Sequence, residues 1–483
     1  MTMADSSPQH SDAFVFFGAT GDLAYKQIFP ALQAMIVHGR LDLPIIGVAK
    51  SDWTIDQFRE RARDSLEKHG SFDAAAFEKL SAQLHYISGD YQDAATYAQL
   101  RQALGNAVRP LYYLAIPPSM FAPVTEGLAT SGGAQNARVI VEKPFGRDLA
   151  SAQALNRTLH AAFAEEAIFR IDHYLGKEAV ENLLYFRFSN TFLEPIWHRA
   201  YIASVQITMA EQFGVQGRGA FYEEVGAIRD VIQNHLLQVM VLLTMEVPMN
   251  VDAKAGTAAV QDAILYEKLR VLRAMRPLVP DEVVRGQFKG YRDEAGVAAD
   301  SQVETFSALR LHIDNPRWSG VPFYIRAGKQ LLVTCTEVLV ELKPPVHPVF
   351  DAGTGHPNYF RFRLSPDVLI ALGARTKLPG EAMVGTAASL ISHRPPGDEM
   401  TPYERLLGDA LQGDAGLFTS GEAVEAAWRV VEPILDTTTG TTFSDLVPVV
   451  MYDPDTWGPP SADQLMEDGD QWDNPAASED VRQ

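Results

Sequence analysis

The run Ala13-Phe-Val-Phe-Phe17 passes without a break into Gly18-Ala-Thr-Gly21-Asp-Leu-Ala, and then into residues whose apolar groups recur at helical spacing. Strand, glycine turn and helix in that order constrain the chain more than any other stretch. Glycine allows a tight turn and a close backbone approach, while the helix start offers N–H groups and the positive end of its dipole to an anion. The spacing falls short of G-x-G-x-x-G, so taken alone it fits a plain turn as well as a pyrophosphate cradle. The following residues extend the pattern. Short apolar runs at 45–49, 84–87, 111–116, 138–141 and 167–171 alternate with helical patterns such as 54–68 and 95–104. That alternation predicts an α/β fold, a Rossmann-like doubly wound parallel sheet.

After about residue 200 the period changes to two. Val205, Ile207 and Met209 alternate with polar neighbours, and the same rhythm returns at 309–313, 338–342 and 360–364. Half-covered strands of this kind predict a mainly antiparallel sheet. Helical patterns at 230–245 and 421–434 complete a larger C-terminal α+β domain. The expected organisation is a disordered 1–12, a dinucleotide-binding domain over 13–172, a substrate and oligomerisation domain over 173–467, and a fraying acidic tail over 468–483. At 483 residues a single core is exceeded, which agrees with two domains.

A formal charge of −20 argues against nucleic acid, whose binding needs a basic face. The longest mainly apolar run, 236–245, is about half of a bilayer span, so no membrane partner is expected. Residues 1–12 lack the basic and apolar regions of a signal peptide, and the only cysteine, Cys335, rules out an internal disulfide. Both favour a cytoplasmic protein. Cys335 reads as packing rather than nucleophile. The histidines show no paired ligand spacing, so no metal is expected.

Against an acidic background, particular cations are informative. An NAD-specific fold places an acidic residue at the end of its second strand, where it takes the ribose 2′-hydroxyl. Here Lys50 stands there, which favours NADP with NAD as the alternative acceptor; a solvated surface lysine is the bland reading. Ile116 and Pro117 end another strand in a rigid turn able to wall the nicotinamide. Glu142-Lys143-Pro144 puts Lys143 at the sheet's carboxyl edge, the usual ligand crevice. Arg170-Ile-Asp172-His173-Tyr174-Leu-Gly176-Lys177-Glu178 crowds ionisable groups into one turn between a strand and a helix. His173 and Lys177 can converge there on a phosphate.

These segments, with 18–32, closely resemble the signatures of glucose-6-phosphate 1-dehydrogenases. The resemblance continues through Glu211-Gln-Phe-Gly214, Gly217-Arg-Gly219, Ile228-Arg-Asp230-Val-Ile-Gln-Asn234-His235, Arg326-Ala-Gly-Lys329, Tyr403-Glu-Arg-Leu and Trp457-Gly-Pro. It implies oxidation of D-glucose 6-phosphate at C1 to 6-phosphogluconolactone, the first oxidative step of the pentose phosphate pathway. It further implies His235 as the base and Asp172 as its carboxylate partner. His173, Tyr174 and Lys177 match phosphate-binding positions, and Lys143, Glu211, Asp230 and Lys329 those that hold sugar hydroxyls or bridge to the cofactor. Gly18, Thr20, Gly21, Asp22, Leu23, Lys50, Ile116, Pro117 and Lys143 match the cofactor side. A homodimer or homotetramer is implied as well.

Some positions depart from the family pattern. Lys50 replaces a frequent arginine and so lacks its planar fork. Gln27 replaces a lysine, Gln212 a proline, which is expected to relax the loop after Glu211, and Thr334 a residue that is often basic. Two rival readings follow: a dehydrogenase of a related sugar or sugar phosphate, and a non-catalytic relative serving as a regulatory subunit.

Overall fold

Ala13–Phe17 is apolar throughout and fully buried, as a central strand covered on both faces must be. In the computed structural model, which describes residues 10–249, 257–347, 349–350, 357–380, 383–394, 400–435, 443–467 and 470–477, it forms β1. Parallel partners are β2 (Ile45–Ala49), β3 (Leu84–Ser88), β4 (Pro110–Leu114), β5 (Arg138–Glu142) and β6 (Ile168–Ile171), in the order β3-β2-β1-β4-β5-β6. The order reverses between β1 and β4, and at such a switch point the carboxyl ends open a ligand crevice. Phe14, Phe16, Phe29, Phe58, Leu111 and Ile140 pack one face of this sheet.

The chain forms two units. The first comprises Met1–Glu178, Pro248–Tyr266 and Met400–Glu425; the second comprises Ala179–Val247, Glu267–Glu399 and Ala426–Gln483. The break expected after residue 172 therefore comes after Glu178, and later segments return to the first unit. The reason is packing around the 172–177 turn. Arg170 bridges Thr419, and Gly176 lies so near Pro402 that a Cβ would come within 2.9 Å of its carbonyl oxygen.

Among the described residues the second unit carries nine strands: β7 (Ile202–Ala210), β8 (Val283–Phe288), β9 (Phe306–Leu311), β10 (Phe323–Gly328), β11 (Cys335–Leu342), β12 (Tyr359–Ser365), β13 (Val368–Lys377), β14 (Gly385–Arg394) and β15 (Val450–Tyr452). Their order is β14-β13-β12-β11-β7-β10-β9-β8-β15, antiparallel except for β7 with β10 and β8 with β15. Cys335 begins β11, and burial pushes its thiol up to about 12, which leaves it inert at physiological pH.

The described residues nearest the two ends make side-chain contacts. Ser11 is buried, and Asp12 accepts from the backbone N–H groups of Val108 and Arg109 at 2.7 and 2.9 Å. Residues 1–9, 468–469 and 478–483 lie outside the described residues. Residues 470–477 contact the second unit's sheet. Asp473 accepts from Arg361 at 2.8 and 3.0 Å, Asn474 from Arg326 at 2.9 Å, and Trp472 is buried against Tyr324 while its Nε1 donates to Ala462. Trp472→Ala is expected to cost about 3–5 kcal/mol, read as a lower denaturant midpoint. An unchanged midpoint would mean that the segment adds nothing to stability.

Candidate functional site

The first unit carries the residues expected at the cofactor and at the phosphate. Gly18 has φ +81°, and a Cβ there would sit 2.0 Å from the Ala115 carbonyl oxygen. Only glycine lets β1 turn this close to the end of β4, where Ile116 packs against it. Gly18 N–H is shared between the Val48 carbonyl and the Tyr91 hydroxyl, and Gly21 N–H closes the turn on Gly18 O at 2.9 Å. Helical backbone begins at Asp22 and Leu23; Asp22 pairs with Lys26 at 3.1 Å, and Leu23 packs on the core. Thr20 Oγ1 meets Ser51 Oγ at 3.1 Å, which ties the glycine turn to the end of β2. Lys50 is half-exposed with its Nζ 3.0 Å from Asp90. The Gln92 N–H, and after it Lys50, hold the Asp90 carboxyl below its ordinary range. A close-approach glycine, a helix start and a lysine at the end of β2 suit the diphosphate and ribose of a nicotinamide dinucleotide. Pro117 is exposed just beyond Ile116, and Lys143 is half-buried at the end of β5.

The 172–177 turn is a compact structure. Asp172 is buried and its Oδ1 accepts from Tyr174 N–H at 2.9 Å, while its carbonyl accepts from Leu175 N–H. His173 is half-buried and meets the buried Tyr174 edge-on. Lys177 lies with its Nζ 3.9 Å from the Tyr174 ring centre. Burial lowers the Lys177 pKa from the ordinary lysine value, opposed by the charge of Asp172. The strand behind the turn is braced: buried Arg170 donates to Glu165 at 2.8 Å and to Asn156 at 2.9 Å, and Gly421 N–H joins Glu165 at 2.7 Å.

In the second unit, Lys329 is buried and donates to Glu211 at 2.5 Å. Its Nζ is 5.1 and 5.2 Å from the rings of Phe213 and Tyr222. Tyr222 is buried; that burial, with Asp230, Glu304 and Glu211 nearby, holds its hydroxyl well above its usual pKa. Gln212 does not relax the loop as expected. Its N–H donates to Thr334 Oγ1 at 3.0 Å and its side chain to the Leu332 carbonyl at 2.8 Å, so the hydroxyl uses a donor that proline lacks.

Asp230 and His235 lie on Ile228–Leu236, which is π-helical and not the regular helix expected, and Leu237–Thr244 continues as α-helix. Five residues apart on an α-helix diverge by about 140°. An i→i+5 ladder instead brings them to one face. Gly226, with φ +62°, opens this segment; a Cβ there would lie 2.5 Å from Glu304, which accepts Ile228 N–H. His235 is buried and Asp230 half-buried.

Within each unit the structure therefore brings together Gly18 with Ile116, Asp172 with Tyr174 and Lys177, Glu211 with Lys329, and Asp230 with His235 on one helical face. Sequence reasoning gave no role to Asp90, Tyr222, Glu142 or Tyr403. Glu142 and Tyr403 did stand inside quoted motifs, whereas Asp90 and Tyr222 carried no signal.

Comparison with known proteins shows the family. Residues 15–182 match the family model described as glucose-6-phosphate dehydrogenase, NAD binding domain, and residues 184–473 match its C-terminal domain. Glucose-6-phosphate 1-dehydrogenase 1 of Mycobacterium tuberculosis is 43% identical over 477 residues, 98% of each chain. The crystal structure of glucose-6-phosphate 1-dehydrogenase from Mycobacterium avium superposes with a TM-score of 0.87 at 42% identity, covering 97% of this chain and 99% of that one. A glucose-6-phosphate dehydrogenase in complex with its substrate glucose-6-phosphate gives 0.86 at 34% identity, covering 96% and 100%.

Proposed function

The chain belongs to the glucose-6-phosphate dehydrogenase family, and on that premise we propose the cofactor preference and the residue roles by which it oxidises D-glucose 6-phosphate at C1 to the lactone. It is an oxidoreductase whose first unit binds a nicotinamide cofactor. The observation that carries the substrate reading is the 172–177 turn, where a partly buried lysine is held over Tyr174 beside a buried carboxylate. A lysine kept from water has an incentive to meet an anion.

Lys177, His173 and Tyr174 hold the phosphate, by charge and by hydrogen bonds. Glu211, Asp230, Lys329 and Lys143 hold the sugar hydroxyls or bridge towards the cofactor; carboxylates accept from hydroxyls and would repel the phosphate, so they belong at the other end of the substrate. His235 takes the proton of the C1 hydroxyl as the C–H bond breaks, and Asp172 fixes its tautomer and balances the imidazolium. The nicotinamide, when bound, supplies the acceptor for the hydride. Gly18, Thr20, Gly21, Asp22, Leu23, Ile116 and Pro117 would hold the cofactor, and Lys50 its 2′-phosphate.

The test is the initial rate of nicotinamide reduction with glucose 6-phosphate or glucose, and with NADP or NAD. Glucose 6-phosphate with NADP is the expected best pair; glucose as the better substrate would refute the role of the 172–177 turn. Because Asp90 sits on Lys50, the preference should be moderate. Asp90→Asn, which removes a negative charge beside the 2′-phosphate, is expected to raise the NADP-to-NAD ratio of kcat/KM by about fivefold. An unchanged ratio would remove Lys50 from the 2′-phosphate site.

A cytoplasmic location and a homo-oligomer complete the proposal. Among the described residues no helix is long and apolar enough to cross a membrane. Self-association is supported by an apolar patch of the second unit, where Phe192, Leu390 and Ile391 are exposed beside Ile370 and Leu372.

A further inference from the structure

Glu142 ends β5 and directly precedes Lys143. Its carboxyl accepts the hydroxyl of Tyr113 from β4, and the nearby hydroxyl of Tyr403 from the helix Pro402–Gln412 and the backbone N–H of Lys143 also favour its ionised form. Tyr113 is fully buried, and Tyr403 packs on the same core. Behind Tyr403 stands Asp172, whose charge reaches its hydroxyl. The titratable groups that face Glu142 are thus Tyr113, Tyr403 with Asp172 beyond it, and Lys143.

We propose that Glu142 is a positioning residue: its ionised carboxylate, gripped by two tyrosine hydroxyls from β4 and Pro402–Gln412, fixes the backbone of Lys143 and so aims the Lys143 side chain. This rests on the reading of Lys143 as a binding residue. An ionised carboxylate can accept from all three donors, whereas the protonated acid has an O–H of its own to donate, so one tyrosine hydroxyl must turn to accept it and the charge-assisted grip weakens. Burial pushes this carboxyl up to about 7, against the pull of the two hydroxyls and of Lys143. The grip therefore tightens as the pH rises through neutrality and slackens as it falls.

The decisive measurement compares kcat/KM of the native chain and Glu142→Gln as a function of pH. Glutamine keeps the shape and cannot ionise. The native chain should be faster by at least about tenfold at alkaline pH, since small misplacements at a reacting centre are costly. That ratio should fall towards one as the pH drops through neutrality. Titrations of His235 and of the substrate phosphate occur in both proteins and cancel in the ratio. A ratio that is flat with pH, as loss of a merely structural contact would give, overturns the proposal, as does a ratio of one throughout.

If Glu142→Gln does not fold, Tyr403→Phe serves. It removes a donor that favours the carboxylate, so the acid limb of kcat/KM must move to higher pH; an unmoved limb overturns the proposal. Lys143→Ala separates the two levels. Lost activity there with an inert Glu142→Gln refutes the positioning role alone, whereas an inert Lys143→Ala refutes the binding reading beneath it.

Discussion

Exchanging His235 for asparagine is expected to lower kcat by about a hundred- to ten-thousandfold, the range of a lost general base, and to leave KM for glucose 6-phosphate nearly unchanged. The split follows from when the imidazole acts. It accepts the hydroxyl proton only as the C–H bond breaks, so its removal raises the barrier without weakening ground-state binding. A neutral imidazole suits the task because its reference pKa of about 6.5 leaves the accepting form dominant at physiological pH. The competing view makes His235 a satisfied core histidine, since it is buried and shares its helix with buried Ile228, Ile232 and Leu236. That view predicts lower stability with turnover retained in whatever folds. Near-native kcat in a folded Asn variant would therefore refute the base and restore the core reading. Asp172→Asn acts on the same proton transfer, so the double variant should lose little more than His235→Asn alone. Turnover by the native chain also disposes of a purely regulatory subunit.

What the sequence made legible was local. Each strand of the first sheet is a short apolar run bounded by a helical pattern, and the expected runs coincide with β1 to β6 to within two residues at each end. Gly18 was readable as the tight turn between a strand and a helix, while its cofactor role came from the family resemblance. Lys177 and Asp172 were readable because charge crowded into one turn serves no packing purpose. The missed features have other physical origins. Segment 400–425 returns to the first unit through Thr419 and Pro402, contacts hundreds of residues away that no window of sequence contains. The period-two reading of β12 gives Arg361 and Arg363 to solvent. In the structure both pair with buried Glu337, and the tail crosses above them through Asp473 and Ala476. Alternation identifies the polar face of a strand without saying what covers it. The π-helical turn escaped because helical periodicity was read at the α-helical spacing alone, and Asp230 and His235 share a face only if that spacing changes.

Lys177→Ala should collapse the discrimination between glucose 6-phosphate and glucose. Truncating one partner of a buried charge pair costs several kcal/mol, so kcat/KM for the phosphorylated sugar should fall by about thirty- to a thousandfold, carried by KM, while the slow rate with glucose stays put. A solvated surface lysine would cost almost nothing, but this ammonium lies 3.9 Å from the Tyr174 ring centre and loses water there. Burial lowers its pKa, with Asp172 opposing. The sign of the pH effect follows: a lysine with a lowered pKa gives up its charge at a lower pH than an exposed one, so KM for glucose 6-phosphate should climb earlier on the alkaline side. Lys177→Arg tests that step separately from size and shape, because a guanidinium stays charged throughout the range. Its KM should lose the alkaline climb even if its value at neutral pH is worse. If the climb persists in the arginine variant, another group titrates there. If Lys177→Ala leaves the two sugars as well separated as before, the phosphate is held elsewhere and the 172–177 turn loses its assigned role.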